Sequence, residues 1–295
     1  MVSGGAKTAP GVQIYKIRGG AASWLRTQIL GVLIAICTIG ICYPFAVVLV
    51  VPFNQRASIR CHKHFRRAQR NPVRIVSWNC SMAYYKKRHL IEALRPDVVI
   101  LQEVAKKDIS AAEQPFAAWT GSNLNKGLGV IGFANARYKV SEHADPNLPW
   151  HLPFSIDGLN IIALWAHQLN RELRYVRVTH EIVDRHAGFL AGGRALLMGD
   201  FNSNTVWDRA HPKRNHSMLV EKLAGLGLSS VYHRNAVNDQ GAEPTKTYFH
   251  TRNLRFGHHI DFAFLSDGSP ADLRVGGSED WLAHSDHMPL ILDIA

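Results

Sequence analysis

The feature that most constrains this chain is a run of 25 residues without a charge, from residue 29 to residue 53. A segment this apolar has to leave water, and about 20 residues of helix are enough to cross the hydrocarbon core of a bilayer. Pro44 is tolerated in such a helix as a kink. The apolar core of a signal peptide is shorter, roughly 7–15 residues. The sequence therefore predicts one transmembrane helix over residues 29–53, with a buried core helix or an uncleaved signal segment as the alternatives.

The positive charge of the chain is concentrated near its N-terminus. Residues 1–72 contain ten of the 34 lysines and arginines and no acidic residue, so the other 223 residues carry 24 basic and 23 acidic side chains. A basic segment beside an apolar one favours contact with anionic lipid headgroups. The net charge of +11 is therefore weak support for a nucleic-acid substrate, because the main part of the chain is nearly neutral.

The basic residues also predict an orientation in the membrane. Six of them closely follow the apolar run, against about three that closely precede it, and the side richer in Lys and Arg normally stays in the cytoplasm. We therefore predict a single-pass membrane protein whose main domain is cytoplasmic. Residues 1–72 are expected to form a flexible tail, the transmembrane helix and a basic linker, and residues 73–295 one domain. The sequence identifies no protein partner. The six basic residues are Arg56, Arg60, Lys63, Arg66, Arg67 and Arg70.

From residue 73 onward, short apolar runs alternate with polar or helical segments. The first run, VRIVSW at residues 73–78, alternates and is rich in β-branched residues, which is typical of a strand. Apolar residues at helical spacing predict helices over 86–94, 172–190 and 217–226. Strands and helices in mixed order predict an α/β (α+β) domain with two sheets covered by helices. The other predicted strands are 98–101, 129–133, 160–165, 194–198, 259–265 and 289–294.

Five polar clusters lie at the ends of these apolar strands or within them. Strand ends are where α/β sheets place functional groups. Taken singly, each cluster has an ordinary explanation, since an Asn after a strand is usually a turn former. Asp261 is harder to explain in this way, because an ionised carboxylate is rarely buried without a partner. Together the clusters supply the carboxylates, carboxamides and His that a hard divalent cation and a phosphate require. They are residues 77–79, 101–103, 198–203, 259–262 and 284–289.

In this order, the short motifs WN, QE, GDFN, ID and SDH resemble those of the endonuclease/exonuclease/phosphatase superfamily, which includes relatives of deoxyribonuclease I and exonuclease III. The resemblance covers essentially all of residues 73–295, and the stretch WNCSMAYYKK…LRPDVVILQEV is similar to poorly characterised bacterial members. It implies a four-layer α/β sandwich of two mixed β-sheets flanked by helices, with the site at one end. Here that domain would be preceded by the one transmembrane helix.

The resemblance also implies a metal site. Glu103 would bind Mg²⁺, with Mn²⁺ as an alternative, and Asn79 would help to order the water or phosphate at the metal. Asp286 would lie at the outer edge of the metal. Magnesium keeps several waters and uses one or two carboxylates together with substrate phosphate, so a single dominant ligand is sufficient.

Catalytic roles follow from the same resemblance. Asp200 would orient and deprotonate the attacking water, and Asn202 would hydrogen-bond a phosphate oxygen. His287 would contact the phosphate and stabilise the transition state as an imidazolium, paired with Asp261 or Asp286, of which we prefer Asp261. His167, which follows the strand LNIIALW, is the candidate for a further phosphate contact, with a surface His as the alternative. His284 has no counterpart and is expected either to support the site or to lie on the surface.

The resulting hypothesis is a membrane-anchored, divalent-metal-dependent phosphoesterase that hydrolyses a phosphodiester or phosphomonoester. The substrate stays open between nucleic acid, a phospholipid headgroup and another phosphate ester. Inositol-phosphate phosphatases of the superfamily usually have a GDLN turn and a Trp-Cys-Asp-Arg segment, whereas this chain has GDFN and lacks that segment. Two alternatives remain: an inactive member acting as a membrane-tethered binding module, and a protein whose functional part is the anchor with its basic linker.

Overall fold

The computed structural model describes residues 12–15, 72–110, 114–141, 148–235 and 238–295. The predicted transmembrane helix at residues 29–53 and the predicted linker at 54–72, except for residue 72 itself, lie outside the described residues. Among the helices that are described, none has the length and apolar character needed to cross a membrane.

Seven strands form the first sheet, which we call sheet A. They are β1 (Val12–Tyr15), β2 (Val73–Asn79), β3 (Val98–Val104), β4 (Phe116–Asn123), β5 (Lys126–Gly132), β14 (Ala271–Val275) and β15 (Leu290–Ile294). Their order across the sheet is β1-β4-β5-β3-β2-β15-β14. Strands β2 and β3 run parallel, and the other neighbours are antiparallel, so sheet A is mixed.

Six strands form the second sheet, sheet B. They are β6 (Tyr138–Val140), β7 (His151–Ile156), β8 (Leu159–Trp165), β9 (Ala195–Asp200), β10 (Leu228–Ser230) and β13 (Asp261–Ser266). Their order is β10-β13-β9-β8-β7-β6, and again a single neighbouring pair, β8 and β9, runs parallel. Two short strands, β11 (Tyr248–Phe249) and β12 (Gly257–His258), pair with each other.

Seven α-helices and three short 3₁₀ turns connect the described strands. The helices are α1 (Arg88–Ala93), α2 (Lys106–Ser110), α3 (Val176–Arg185), α4 (Ala187–Ala191), α5 (His216–Gly225), α6 (Val231–Asn235) and α7 (Ser278–Trp281). The 3₁₀ turns are Tyr84–Lys86, Thr205–Ala210 and His250–Arg252. Helix α5 begins at an N-cap, Asn215, whose side chain accepts a hydrogen bond from the backbone N–H of Met218.

The buried residues form three separate cores, which define four layers. One core lies between the sheets and includes Ile100 and Met198, one lies outside sheet A and includes Leu101 and Ile109, and one lies outside sheet B and includes Ile182. Successive residues of a strand point to opposite faces, so central strands covered on both faces are apolar throughout. The predicted four-layer sandwich of two mixed sheets flanked by helices is confirmed for the described residues.

Several element bounds differ from the sequence-based prediction. The strand expected over 259–265 begins at Asp261, and the helix expected over 172–190 is two helices that meet at His186. Residues 12–15, expected within a flexible tail, pair with β4 at the edge of sheet A. Sequence periodicity did not predict β4, β7 or β14, because apolar character alone does not reveal strands interrupted by small or polar residues.

The parallel pairs bring the polar clusters to one end of the sandwich. Strands β2 and β3 end beside each other at Asn79 and Gln102, and β8 and β9 end beside each other at Trp165 and Asp200. The antiparallel partner β13 begins at the same edge, with Asp261 directly opposite Asp200. Between the sheets, the Gln102 side-chain amide donates to Ser77 Oγ and to Leu164 O, both at 3.1 Å.

Gly199, in the GDFN turn, lies at the tightest point of this junction. Its φ is +152°, and a Cβ atom there would lie 1.9 Å from the carbonyl oxygen of Leu164 on the neighbouring strand. That oxygen is part of the backbone, so it cannot move without disturbing the β8–β9 pairing. Glycine is therefore required at this position for steric reasons.

We expect Gly199→Ala to destabilise the full-length protein by about 2 kcal/mol or more beyond the effect of Gly193→Ala. The added methyl group would clash with backbone atoms, and no flexible side chain could move to make room for it. Gly193 is a matched control, since its φ is +147° and a Cβ atom added there would have no neighbour within 4 Å. Denaturant unfolding of both variants measures the difference. Equal losses of stability would show that the close approach to Leu164 has no energetic importance.

Candidate active site

His287 and Asp261 form a buried hydrogen-bonded pair at the centre of the site. Nδ1 of His287 lies 3.0 Å from Oδ2 and 3.3 Å from Oδ1 of Asp261. Burial alone lowers the pKa of His287, but the negative charges of Asp261 and Asp200 outweigh it and raise this pKa from 6.5 to about 9. The imidazole is therefore charged at neutral pH, and its Nε2, 3.9 Å from Oδ2 of Asp200, faces that carboxylate.

Asp200, the last residue of β9, is completely buried. Its Oδ1 accepts a hydrogen bond from the backbone N–H of Asn202 at 2.9 Å, and its Oδ2 accepts one from the Asn202 side chain at 3.0 Å. Burial raises the pKa of Asp200 above the usual carboxylate range; the charge of His287 lowers it and that of Asp261 raises it further. The GDFN turn thus produces a fixed carboxylate that is more basic than one in water.

Asn79, the last residue of β2, connects the two sheets at the site. Its Nδ2 lies 3.2 Å from Oδ2 of Asp200, 3.5 Å from Oε1 of Glu103 and 3.5 Å from Nε2 of His287. Its Oδ1 accepts from the backbone N–H of Ser81 at 3.1 Å. In this arrangement Asn79 presents amide donors to the site, which suits a phosphate or carboxylate oxygen better than a cation.

Glu103 lies at the rim, where β3 is interrupted by a β-bulge. Its φ of +58° turns the side chain out of the strand's regular alternation, and the carboxylate is partly exposed. Oε2 of Glu103 lies 3.1 Å from Nζ of Lys126, and that ammonium lies 5.6 Å above the ring of Trp165. The position of the ammonium shows that a positive charge is accommodated beside Glu103.

The residues around His287 hold the final loop in place. Ser285 Oγ donates to the carbonyl of Asn79 at 2.7 Å and accepts from the backbone N–H of His287 at 3.0 Å. Asp286 is half-buried, and its charge is among those that raise the pKa of His287. His284 contributes its backbone carbonyl, which accepts a hydrogen bond from Nζ of Lys87 at 2.7 Å.

His167 lies beside the site rather than within its hydrogen-bond network. Strand β8 ends at Trp165, two residues earlier, and the His167 ring packs against Trp165 and Trp150 at centroid distances of 4.7 and 5.3 Å. Its Nδ1 lies 3.2 Å from the carbonyl of Gln168. The preceding residue, Ala166, accepts a hydrogen bond from the side chain of Asn202 at 3.0 Å, so His167 adjoins the GDFN turn.

Two residues of the segment TKTYF, residues 245–249, belong to the site; on sequence alone this segment could contact substrate, with a plain strand as the preferred alternative. Tyr248 lies against His287 with ring centroids 4.7 Å apart. The hydroxyl of Thr247 accepts hydrogen bonds from the backbone N–H groups of Ile260 and Asp261, at 3.0 and 3.1 Å, and so fixes the start of β13. The only signal in the sequence was a hydroxyl and an aromatic residue between two polar clusters.

Ligand atoms of Asp200, Asp261 and His287 lie within 4.8 Å of one another, a spacing that could hold a metal ion. Of the residues that the sequence suggested for the metal, Asn79 lies between Glu103 and Asp200, with its Nδ2 3.5 and 3.2 Å from their carboxylates. Asp286 is close enough for its charge to raise the pKa of His287.

The fold is one that nucleases and phosphatases share, and the sequence agrees. The profile of the Endonuclease/Exonuclease/phosphatase family matches residues 76–287. The chain belongs to this family. No curated protein matches the sequence.

Solved structures share the fold at low sequence identity. A 3'-5' exonuclease, NExo, from Neisseria meningitidis is 18% identical, covers 75% of this chain and 99% of its own, and superposes with a TM-score of 0.57. The Neisseria 3' phosphatase NExo bound to a product DNA hairpin is 17% identical, and the match covers 76% of this chain and 99% of the neighbour, with a TM-score of 0.56. An AP endonuclease from Archaeoglobus fulgidus is 15% identical, and the match covers 75% of this chain and 98% of the neighbour, with a TM-score of 0.51. At these identities the likeness shows the fold alone.

We expect Asp261→Asn to lower the pKa of His287 from about 9, because it removes the main favourable charge and leaves the cost of burial, offset only by Asp200 and Asp286. An NMR pH titration of the His287 ring in the full-length protein measures this. Asp272→Asn, a change on the exposed side of β14, is the control and should leave the titration unaltered. If both variants titrate like the wild type, the Asp261 charge does not control His287.

Proposed function

We propose that this protein hydrolyses a phosphate ester by direct attack of water, with Asp200 as the base. His287, as a charged imidazolium, would stabilise the negative charge that develops on the phosphoryl oxygens. Family membership and the nuclease and phosphatase neighbours support a phosphoesterase. The observation that carries the proposal is the convergence of Asn79, Asp200, Asp261 and His287 in one buried group, with Glu103 at its rim.

Asp200 is suited to deprotonate water because its carboxylate is both oriented and unusually basic. The two hydrogen bonds from Asn202 and the one from Asn79 leave it little rotational freedom. A general base works best when its pKa approaches the working pH, and burial moves the pKa of Asp200 upward in that direction. The proton of the attacking water would pass to Asp200.

His287 would act as an imidazolium on the phosphoryl oxygens, beside Asp200, whose Oδ2 lies 3.9 Å from its Nε2. Asp261 binds Nδ1 and leaves the Nε2–H pointing into the site. A fixed charged donor aimed at oxygens that gain negative charge stabilises the transition state without reorganisation. Asn79 and Asn202 would add amide donors to phosphate oxygens, and His167, next to the GDFN turn, is proposed as a further phosphate contact.

The donor set suits a divalent cation at Glu103, with Asp286 at its outer edge and Mg²⁺ or Mn²⁺ as the ion. The group contains four carboxylates, those of Glu103, Asp200, Asp261 and Asp286. Among the described residues, the positive charges near them are three, those of His287, Lys126 and Lys87, so an anionic substrate needs a further positive charge. A cation held there would offset negative charge on the phosphoryl oxygens.

Glu103 is preferred over the buried trio as the cation ligand. In the trio, the carboxylate of Asp261 is already engaged with Nδ1 of His287, and the carboxylate of Asp200 accepts three hydrogen bonds from Asn202 and Asn79. Glu103 is reachable from solvent and already has an ammonium group within 3.1 Å.

We also propose the cellular setting on sequence grounds. The 25 uncharged residues 29–53 and the basic residues that follow support a single-pass membrane anchor with the domain on the cytoplasmic side. The neighbour bound to a product DNA hairpin supports nucleic acid as one substrate class. An anchored domain could equally reach phospholipid headgroups, which no comparison supports.

We expect Asp200→Asn in the full-length protein to lower kcat by at least about a thousandfold while unfolding like the wild type, because the change keeps the shape and removes the base. Asp280→Asn, an exposed acid on α7, is the matched control. Phosphate-ester hydrolysis and thermal unfolding are measured side by side. Undiminished hydrolysis in a folded Asp200→Asn protein would exclude Asp200 as the base, and complete inactivity of the wild type would favour the binding-module alternative.

Glu103→Gln should weaken Mn²⁺ binding at least about tenfold in calorimetric titration, because the carboxylate charge is lost at constant shape. Hydrolysis should also stop in EDTA and return with Mg²⁺ or Mn²⁺. Glu279→Gln, an exposed change, provides the control. Activity that survives EDTA would contradict a cation-assisted reaction, and unchanged Mn²⁺ binding by Glu103→Gln would place the ion elsewhere.

A further inference from the structure

A cavity of about 270 Å³ opens beside the GDFN turn, and Asn202 forms part of its wall. Asn202 also donates to Asp200 Oδ2 at 3.0 Å. The cavity therefore adjoins the place that the proposed mechanism gives to the reacting phosphate. The rest of the wall comes from the start of α3 and from the 3₁₀ turn Thr205–Ala210. The other lining residues used below are Arg174, Tyr175, Arg177, Trp207 and Asp208.

The lining combines aromatic faces with positive charge. Tyr175 is 43% exposed, and Trp207 lies with its ring centroid 4.8 Å from that of His258. Arg174 and Arg177 also line the cavity, and Nη1 of Arg177 lies 3.5 Å from the carbonyl oxygen of Glu172. An aromatic face binds a flat ring by stacking, and guanidinium groups bind phosphate oxygens. A flat ring with an anionic substituent fits both features.

Among the described residues that line the cavity, one is an acid, and its carboxylate is already engaged. Asp208 accepts hydrogen bonds from the backbone N–H groups of His216 and Ser217, at 2.9 and 3.1 Å, and so caps α5. The cavity as a whole is therefore positive and repels a cationic group such as choline. The cavity is therefore unsuited to cationic lipid headgroups, which aromatic side chains can otherwise bind through cation–π contacts.

The size of the cavity limits how much of a substrate it can recognise. It lies below the roughly 300–1,000 Å³ of pockets that enclose a drug-sized ligand, which suits one base with its sugar. Beyond it, residues 73–295 carry 24 basic and 23 acidic side chains. Strong binding to a long nucleic-acid backbone needs many cationic contacts, and the domain has no corresponding excess of charge.

We propose that this cavity is the recognition site for a single nucleotide next to the hydrolysed phosphate, stacked between Tyr175 and Trp207 and bound by Arg174 and Arg177. Recognition is confined to that nucleotide, so the protein acts on small nucleotide esters or strand ends rather than on the interior of a duplex. This rests on the proposed phosphoesterase function and names its substrate class.

Binding is tested in the full-length Asp200→Asn protein, which should hold substrate without turnover. The probes are a dinucleoside monophosphate, a longer single strand, a duplex, and glycerophosphocholine, a soluble form of a lipid headgroup. We expect the longer strand to bind within about tenfold of the dinucleotide, with a salt slope no steeper than about −2, because only two arginines contact phosphate. Much tighter, steeply salt-dependent duplex binding, or binding to glycerophosphocholine alone, would overturn the inference.

Variants of the cavity test the site itself. In the Asp200→Asn background, Trp207→Ala and Tyr175→Ala should each weaken dinucleotide binding about tenfold or more through lost stacking, and Trp207→Phe should restore most of it. Arg174→Ala should weaken binding, whereas Arg209→Ala, which removes the same charge from an exposed residue outside the cavity, should not. Thermal unfolding checks that each variant is folded.

The two proposals fail in different ways. If the wild-type protein hydrolyses none of the esters with Mg²⁺ or Mn²⁺, the proposed function is wrong. If it hydrolyses the dinucleotide and the Trp207→Ala and Tyr175→Ala changes, made in the active protein, leave its KM unchanged, only the single-nucleotide site is wrong.

Discussion

The site depends on the burial of two carboxylates opposite each other in sheet B. Asp200 and Asp261 are register partners on β9 and β13, and neither is more than 2% exposed. Two adjacent negative charges cannot be kept in such a place without a positive one. His287 supplies it, and the same two carboxylates raise the pKa of its imidazole to about 9. The three buried charges that the proposed reaction would use are thus arranged so that they offset one another.

The sandwich determines which side chains can join this group. Each sheet has one parallel pair, so both place strand ends with polar residues at the same edge. The sheets are joined behind the site by Gln102, whose amide donates to a hydroxyl of sheet A and a carbonyl of sheet B. Gly199 allows the close approach of β8 and β9 on which this contact depends. Asn79 can therefore reach Asp200 across the gap between sheets without a long or mobile side chain.

Much of the site could be predicted because burying a charge is costly. Asp261 was identified as an ionised group within an apolar strand, and its preferred partner, His287, is the residue that contacts it. Tyr248 and Lys126 carry no such signal, since a tyrosine in a short strand and a lysine at the start of one are ordinary residues. They reach the site only through the β11–β12 pair and the β-bulge at Glu103, which depend on tertiary contacts. The charged residues of the site were thus easier to predict from the sequence than the residues that pack around them.

The proposed reaction site and the adjoining cavity differ in charge. Glu103, Asp200, Asp261 and Asp286 bring carboxylates to the proposed reaction site, whereas Arg174 and Arg177 line the cavity. A phosphate between them would be drawn toward the arginines and repelled by the carboxylates unless a cation held at Glu103 offset their charge. Asn202 belongs to both regions, donating to Asp200 and lining the cavity. The order of binding would then follow from electrostatics, because a cation at Glu103 allows the phosphate to approach Asp200 while the rest of the ester stays in the cavity.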